Sequence, residues 1–229
     1  MSQVALPRAA QAMSRKRSVW RSAIGWYHLD LHDCVGNPTS MYAPTLPFQI
    51  PLGALLPRRI TNVIVACKNI GTTHLTNGAY RLHPVEWNIG EAAGALTAWC
   101  CAANHSPHAV YAHDVLLRQF QRHLLERGVP LAWTMDLPAD DPLFVPTQLL
   151  VLAGAITLDS PRFYALAIGL DQPLRDGEIP ALIRAMQQIE PTFATSDVNT
   201  VILSQLPTWR DVCLALAPLI DQSTIPLAR

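Results

Sequence analysis

Charged residues are scarce in this chain of 229 residues: they make up 15% of the composition, and seventeen basic residues are balanced by seventeen acidic ones. A neutral chain has no general attraction to phosphate polymers or to anionic lipid. Long apolar runs are also lacking, because the two longest, 149–158 and 94–103, have about half of the roughly 20 residues that a membrane-spanning helix needs. We therefore expect neither a nucleic-acid partner nor a membrane span.

A secretory signal is lacking as well. The first 22 residues are basic, but no apolar stretch of roughly 7–15 residues follows them. We predict that residues 1–22 form a flexible basic segment, and the default expectation is a soluble, cytoplasmic protein. The compartment stays open, because a fragment loses any targeting segment that preceded it.

Paired cysteines and closely spaced glycines are the other absences. The five cysteines form no CxxC pair, and their odd number argues against a closed disulfide framework. Adjacent Cys100 and Cys101 point about 100° apart on a helix, so we predict core thiols rather than a redox pair. None of the eleven glycines stands in GxG spacing, so the pyrophosphate-binding turn of a dinucleotide-binding unit is lacking.

What the chain does have is a core-forming composition, half of it hydrophobic, and short stretches with strand patterns. Residues 24–32 alternate bulky apolar with polar side chains, as a strand with one buried face does. His28, Asp30 and His32 would share its other face. Among the prolines that follow, Phe48–Ile50 is the best strand candidate.

A strand, a loop and a helix are predicted next. The apolar, β-branched run 62–67 is typical of a strand buried on both faces, so we expect it at the centre of a parallel sheet. Residues 68–80 are expected to form an ordered loop, and a helix should follow over 84–103. Gly90 and Gly94 lie on one face of that helix at a cost of about 1 kcal/mol each, so something should approach its backbone closely.

The rest of the chain has helical patterns. A second helix over 110–127 is closed by Gly128, as a helix stop should be. A polar, proline-rich link follows Trp133, and we place a domain boundary there, with a small all-α domain over 136–229. Its candidate helices are about 143–155, 161–168, 177–189, 196–204 and 207–220.

The segment 62–94 carries the chemistry. It holds a helix N-terminus, with free amides and roughly half a positive charge, behind a polar loop and beside small residues. An electron-rich ligand group suits such a place. A flavin is one, because its reduction builds negative charge along the N1–C2=O edge of the ring.

This segment is similar to the C-terminal flavin-contact motif of the FAD-dependent oxidoreductase family, related to the glutathione-reductase-like flavoproteins. The matching positions are Arg81, Pro84, Gly90, Ala92, Ala93 and Gly94. Two positions depart from it, because Cys67 stands where the family has glycine and Lys68 where it has arginine. The resemblance covers about residues 20–130, so we assign residues 23–133 to the C-terminal part of such a domain.

The resemblance implies FAD as cofactor, an unknown small-molecule substrate, and an N-terminal Rossmann-like portion that this chain lacks. It implies a helix-rich α+β fold, with short strands and a flavin-contacting helix. The predicted cofactor-binding residues are Lys68, Asn69, Thr73, Asn77, Arg81, Pro84, Asn88, Gly90, Glu91 and Ala92. His74 and His83 are the candidate proton donors or acceptors, and His28, Asp30 and His32 the candidate substrate wall.

Each assignment has a structural alternative. The strand trio resembles a metal site in its residue types, although satisfied structural histidines are commoner, and we predict no metal. Arg81 is as well suited to clamping backbone carbonyls as to contacting a flavin. Glu91 is explained equally by its favourable interaction with the helix dipole. His74 and His83 could equally serve as hydrogen-bonding residues.

The region after Asp136 resembles in part the opening of an S-layer homology repeat, and the plain alternative is a helical extension packed on the oxidoreductase body. The favoured hypothesis is an oxidoreductase portion that needs its dinucleotide-binding unit and is inactive alone. The rival is a non-catalytic helical interaction module with a remnant flavin motif.

Overall fold

The structure is a computed structural model that describes residues 21–33, 35–36, 40–156, 165–175, 177–190, 193 and 207–222. Over these residues the chain has seven α-helices and two antiparallel pairs of short strands, which confirms the helix-rich α+β class. The chain divides into two compact units, residues 1–93 and 94–229. The boundary near residue 133 remains a prediction about domains, and residues 1–20 lie outside the described part.

The strands of the first unit are β1 (Arg21–Gly25), β2 (Leu29–Leu31), β3 (Met41–Ala43) and β4 (Phe48–Pro51). β1 pairs with β4 and β2 with β3. The single strand predicted over 24–32 is therefore wrong, because the chain changes partner between Gly25 and Leu29. At the change, the Trp26 indole donates to the Thr45 carbonyl, and the Thr45 hydroxyl donates to the Tyr27 carbonyl.

The strand predicted over 62–67 is also wrong. These residues are irregular and partly or fully exposed, and the Val65 amide donates to the Leu55 carbonyl at 2.9 Å. A buried parallel strand needs partners on both sides, whereas both sheets here are antiparallel pairs formed by other segments. The run enters a short 3-10 helix, Cys67–Asn69, instead.

Two helices complete the motif segment: α1 (His74–Tyr80) and α2 (His83–Ala103). The loop predicted over 68–80 is half helical, because Thr73 and Thr76 form a reciprocal capping box that starts α1. The predicted helix over 84–103 is confirmed. β1, β4, α1 and the first part of α2 meet in one core, in which Ala92 and Ala93 are buried.

The described part of the second unit is helical, with α3 (Pro107–Ala112), α4 (Asp114–Leu125), α5 (Phe144–Ala153), α6 (Glu178–Ile189) and α7 (Trp209–Gln222). The helix predicted over 110–127 is two helices, because His113 has an extended backbone. Gly128 ends α4 with a positive φ, as predicted. The helices predicted over 143–155, 177–189 and 207–220 are confirmed; 196–204 and the first half of 161–168 lie outside the described residues.

Polar side chains that bind backbone groups hold this unit together, Gln148 from a buried position and Asp136 from an exposed one. The Gln148 side chain accepts hydrogen bonds from the Leu131 and Ala132 amides and donates to the Ala132 carbonyl. Asp136 accepts from the Ile168 and Gly169 amides. None of the helices in the described ranges has the length and apolar character needed to cross a bilayer.

Candidate functional site

Tyr80 ties the polar loop to the helices of the motif. Its hydroxyl donates to the Lys68 carbonyl at 2.6 Å, and its ring is buried in the core of the first unit. The Asn77 side chain contacts the same hydroxyl at 3.5 Å. The 3-10 helix Cys67–Asn69 is thereby fixed against α1, and two of the predicted cofactor residues, Lys68 and Asn77, are brought to one place.

Arg81 joins the end of α1 to strand β2. Its Nη2 donates to the Asp30 carbonyl at 2.9 Å and lies 3.4 Å from the Asp30 carboxylate, which also contacts His32 at 3.1 Å. Gly78 makes this approach possible, since a Cβ there would lie 2.7 Å from Leu31 Cδ2 and 3.0 Å from the Asp30 carbonyl oxygen. This geometry matches the alternative hypothesis for Arg81, in which its guanidinium clamps a backbone carbonyl.

Glu86 is a site residue that sequence reasoning did not single out. It lies in the first turns of α2, its side chain is buried, and its Oε1 is 3.7 Å from the Lys68 ammonium. Buried carboxylates are rare unless they are paired. The sequence signal was a glutamate near the helix start together with Lys68, but only the packing around α2 shows that this glutamate is inside.

Cys67 occupies the position where the resembling motif has glycine, and its backbone explains that preference. Its φ is +58°, in the left-handed region that glycine adopts without steric cost. Its Sγ would lie 3.6 Å from a Cβ at Gly90, so Gly90 faces this thiol. A Cβ at Gly94 would meet nothing within 4 Å, so no described side chain fills the space beside that glycine.

The other predicted cofactor residues differ in how accessible they are. Asn69, Thr73, Pro84 and Glu91 are exposed, and Thr73 caps α1. The Asn88 side chain is held by the β1 backbone, because its Oδ1 accepts from the Ile24 amide at 2.8 Å. Ala92 is fully buried in the core. The accessible predicted positions therefore lie along the loop and at the start of α2.

The candidate proton-transfer and substrate residues are all on the surface or near it. His74 and His83 are the first residues of α1 and α2, and both are exposed. The His28 ring stacks on Tyr42 at 4.8 Å, and Tyr42 is the strand partner of Asp30, which contacts His32. Within the described ranges, no three His, Cys, Asp or Glu residues gather as metal ligands would.

The adjacent cysteines have unequal surroundings. Cys100 is buried and Cys101 is exposed, and neither forms a disulfide. Burial, and secondarily the neighbouring Cys101, raise the pKa of the Cys100 thiol to about 11. A thiol with a raised pKa is a poor nucleophile at neutral pH. Cys100 is core filler as predicted, whereas Cys101 is not.

These elements form a helix-rich α+β unit in which side-chain contacts fix a polar loop beside a helix N-terminus. Residues 13–124 match the model of the family of FAD dependent oxidoreductases. The match includes the whole motif segment 62–94. FAD is the cofactor that this family implies. Neither the curated proteins nor the solved structures contain a significant match.

Proposed function

We propose that this chain supplies the flavin-ring side of an FAD-dependent oxidoreductase acting on a small molecule. The observation that carries the proposal is the match over residues 13–124. This range includes α2, the loop that Tyr80 binds to α1, and the contact of Arg81 with β2. The chain's residues fit the ring side of the cofactor. They do not fit its ADP side, since no two glycines of the sequence stand in GxG spacing.

The roles within the site follow from exposure and charge. When bound, the flavin would supply the transfer of electrons to and from the substrate. The first turn of α2 would place positive charge beside the ring, and Lys68 and Asn69 would line the loop. His74 and His83 would exchange protons with the substrate, and the exposed His28 and His32 would contact it.

A second polypeptide segment with a GxGxxG turn would hold the pyrophosphate and adenosine. Without it, the contacts of this chain reach only part of the cofactor, so we expect weak FAD binding and no turnover by the chain alone. The helical second unit would serve as an extension of the oxidoreductase body, and its partial S-layer resemblance remains a prediction.

Flavin retention tests the proposal. FAD is titrated into the chain alone and into the chain mixed with a dinucleotide-binding segment, for example one encoded in frame upstream of Met1. We expect retained yellow absorbance and an FAD-dependent rise in melting temperature in the mixture. If neither sample retains flavin or gains thermal stability, the enzyme hypothesis fails and the interaction-module alternative is favoured.

A further inference from the structure

Glu86 is a buried carboxylate whose hydrogen bonding is incomplete. The residue is 7% exposed, and its Oε1 accepts no hydrogen bond from any residue that the structure describes. The Lys68 ammonium lies 3.7 Å from Oε1, which is an ion pair but too long for a hydrogen bond. The side chain of Lys68 is 63% exposed, so water screens much of its attraction.

A second glutamate of the same chain shows what a structural role looks like. Glu178 also lies in the first turn of a helix and is 6% exposed. Its Oε2, however, accepts from the Arg175 amide at 2.8 Å and from the Trp209 indole at 3.0 Å. Both glutamates lie near a helix N-terminus, but of the two acceptors Oε1 of Glu86 lacks a donor among the described residues.

Leaving a buried carboxylate oxygen without a donor is costly, because burial removes the hydration that it would otherwise have. Complementing the dipole of α2 does not require this burial, since an exposed carboxylate in the first turn would face the free amides equally well. A donor from a bound molecule would remove the cost. Glu86 is therefore better explained by a ligand than by the fold.

The surroundings of Glu86 limit the chemistry of that ligand. Glu86 contacts Lys68, which lies beside Cys67, and the Cys67 thiol faces Gly90 on α2. The positive and negative charges of the pair cancel, and the carboxylate repels an anion, so a phosphate is disfavoured. A neutral hydroxyl or N–H group satisfies Oε1 without adding charge.

We propose that Glu86 binds the flavin directly, accepting a hydrogen bond from a neutral donor of the cofactor. This inference rests on the proposed function and adds a residue to it. A flavin has two such donors, the ring N3–H and the hydroxyls of the ribityl chain. Both would donate a hydrogen bond to Oε1 in the same way, so the experiment decides which of the two groups is the donor.

The test replaces Glu86 by methionine, which has a similar shape and no acceptor. Riboflavin and lumiflavin, which lacks the ribityl hydroxyls, are titrated into the full chain and followed by flavin fluorescence. We expect Glu86→Met to weaken riboflavin binding by about 10-fold or more, the effect of losing a hydrogen bond to a charged group. Its melting temperature should stay the same or rise, because a buried charge without a donor has been replaced by an apolar group.

Glu178→Met is the matched control. The buried Trp209 indole would lose its acceptor and the Arg175 amide one of its contacts, so we expect a lower melting temperature and unchanged flavin binding. If Glu86→Met weakens lumiflavin as much as riboflavin, the donor is N3–H; if it weakens riboflavin alone, the donor is a ribityl hydroxyl.

Two results would overturn the assignment of Glu86. They differ in whether the proposed function is also overturned. If the wild-type chain binds flavin and Glu86→Met binds it equally well, Glu86 has no role in binding and the proposed function stands. If the wild-type chain binds neither flavin, alone or mixed with the dinucleotide-binding segment, while its fold is intact, the Glu86 assignment and the flavin site fail together.

Discussion

Gln148 and Glu178 in the second compact unit are hydrogen-bonded differently from Glu86 in the first. In the second unit, Gln148 satisfies three backbone groups, and Glu178 satisfies an amide and an indole. In the first unit, Glu86 is as deeply buried but has one cation at 3.7 Å and no hydrogen-bond donor among the described residues. Buried polar groups that stabilise a fold are normally hydrogen-bonded. The difference therefore separates two side chains that stabilise the second unit from Glu86, for which we propose a role in binding.

The largest expected effect tests the stabilising side of this comparison. Gln148→Leu removes the side chain that bonds the Leu131 and Ala132 amides and the Ala132 carbonyl, and losing a buried hydrogen bond of this kind costs about 1–3 kcal/mol. We expect a loss of about 4 kcal/mol in the free energy of unfolding, measured by urea denaturation. Gln187→Leu, an exposed position on α6, is the control. Equal losses in the two variants would contradict the role given to Gln148.

A pH effect tests the same unit through its buried thiol. Burial raises the pKa of Cys213 from 9.0 to about 11. The unfolded thiol ionises first, so the stabilisation is complete below about pH 9 and is lost as pH rises through about 11, by roughly 2–3 kcal/mol in all. Cys213→Ala should lose stability less steeply over that range in thermal melts. Parallel curves for the two proteins would show that the Cys213 thiol is not involved.

Gly78 and Gly94 form the next pair, because both are helical glycines with different surroundings. Gly78→Ala places a methyl group 3.0 Å from the Asp30 carbonyl oxygen and closer still to Leu31, so we expect a loss of about 2 kcal/mol. Gly94→Ala meets nothing within 4 Å and should gain up to about 1 kcal/mol from helix propensity. Chemical denaturation measures both. Changes of the same sign would mean that α1 does not approach β2 as described.

The smallest expected effect is at Cys67. Its left-handed backbone costs a non-glycine residue about 1–2 kcal/mol, partly offset by the greater flexibility that glycine gives the unfolded chain. We expect Cys67→Gly to raise the free energy of unfolding by about 0.5 kcal/mol. Cys101→Gly, within α2, should lower it by about 1 kcal/mol instead. A loss of stability in Cys67→Gly would indicate that the thiol's packing outweighs the backbone strain.

Local rules explain which elements could be predicted. Helix α2 was found from Pro84 and the small residues, and Gly128 was found as a stop because its backbone takes a positive φ. The run 62–67 misled the prediction, since β-branched residues favour a strand only when neighbouring strands pair with them. The break at Trp26 was missed for a related reason: β1 and β2 pair with different strands.

The sequence by itself determined the helix-rich class, the glycine and alanine face of α2, and the resemblance to flavin oxidoreductases. Each follows from residue types at fixed spacing along the chain. Only the tertiary structure decided that Arg81 clamps β2 and that Glu86 is buried beside Lys68. Burial and hydrogen bonding depend on segments distant in the chain, as Asp30 is from Arg81, and no local pattern encodes which of them will meet.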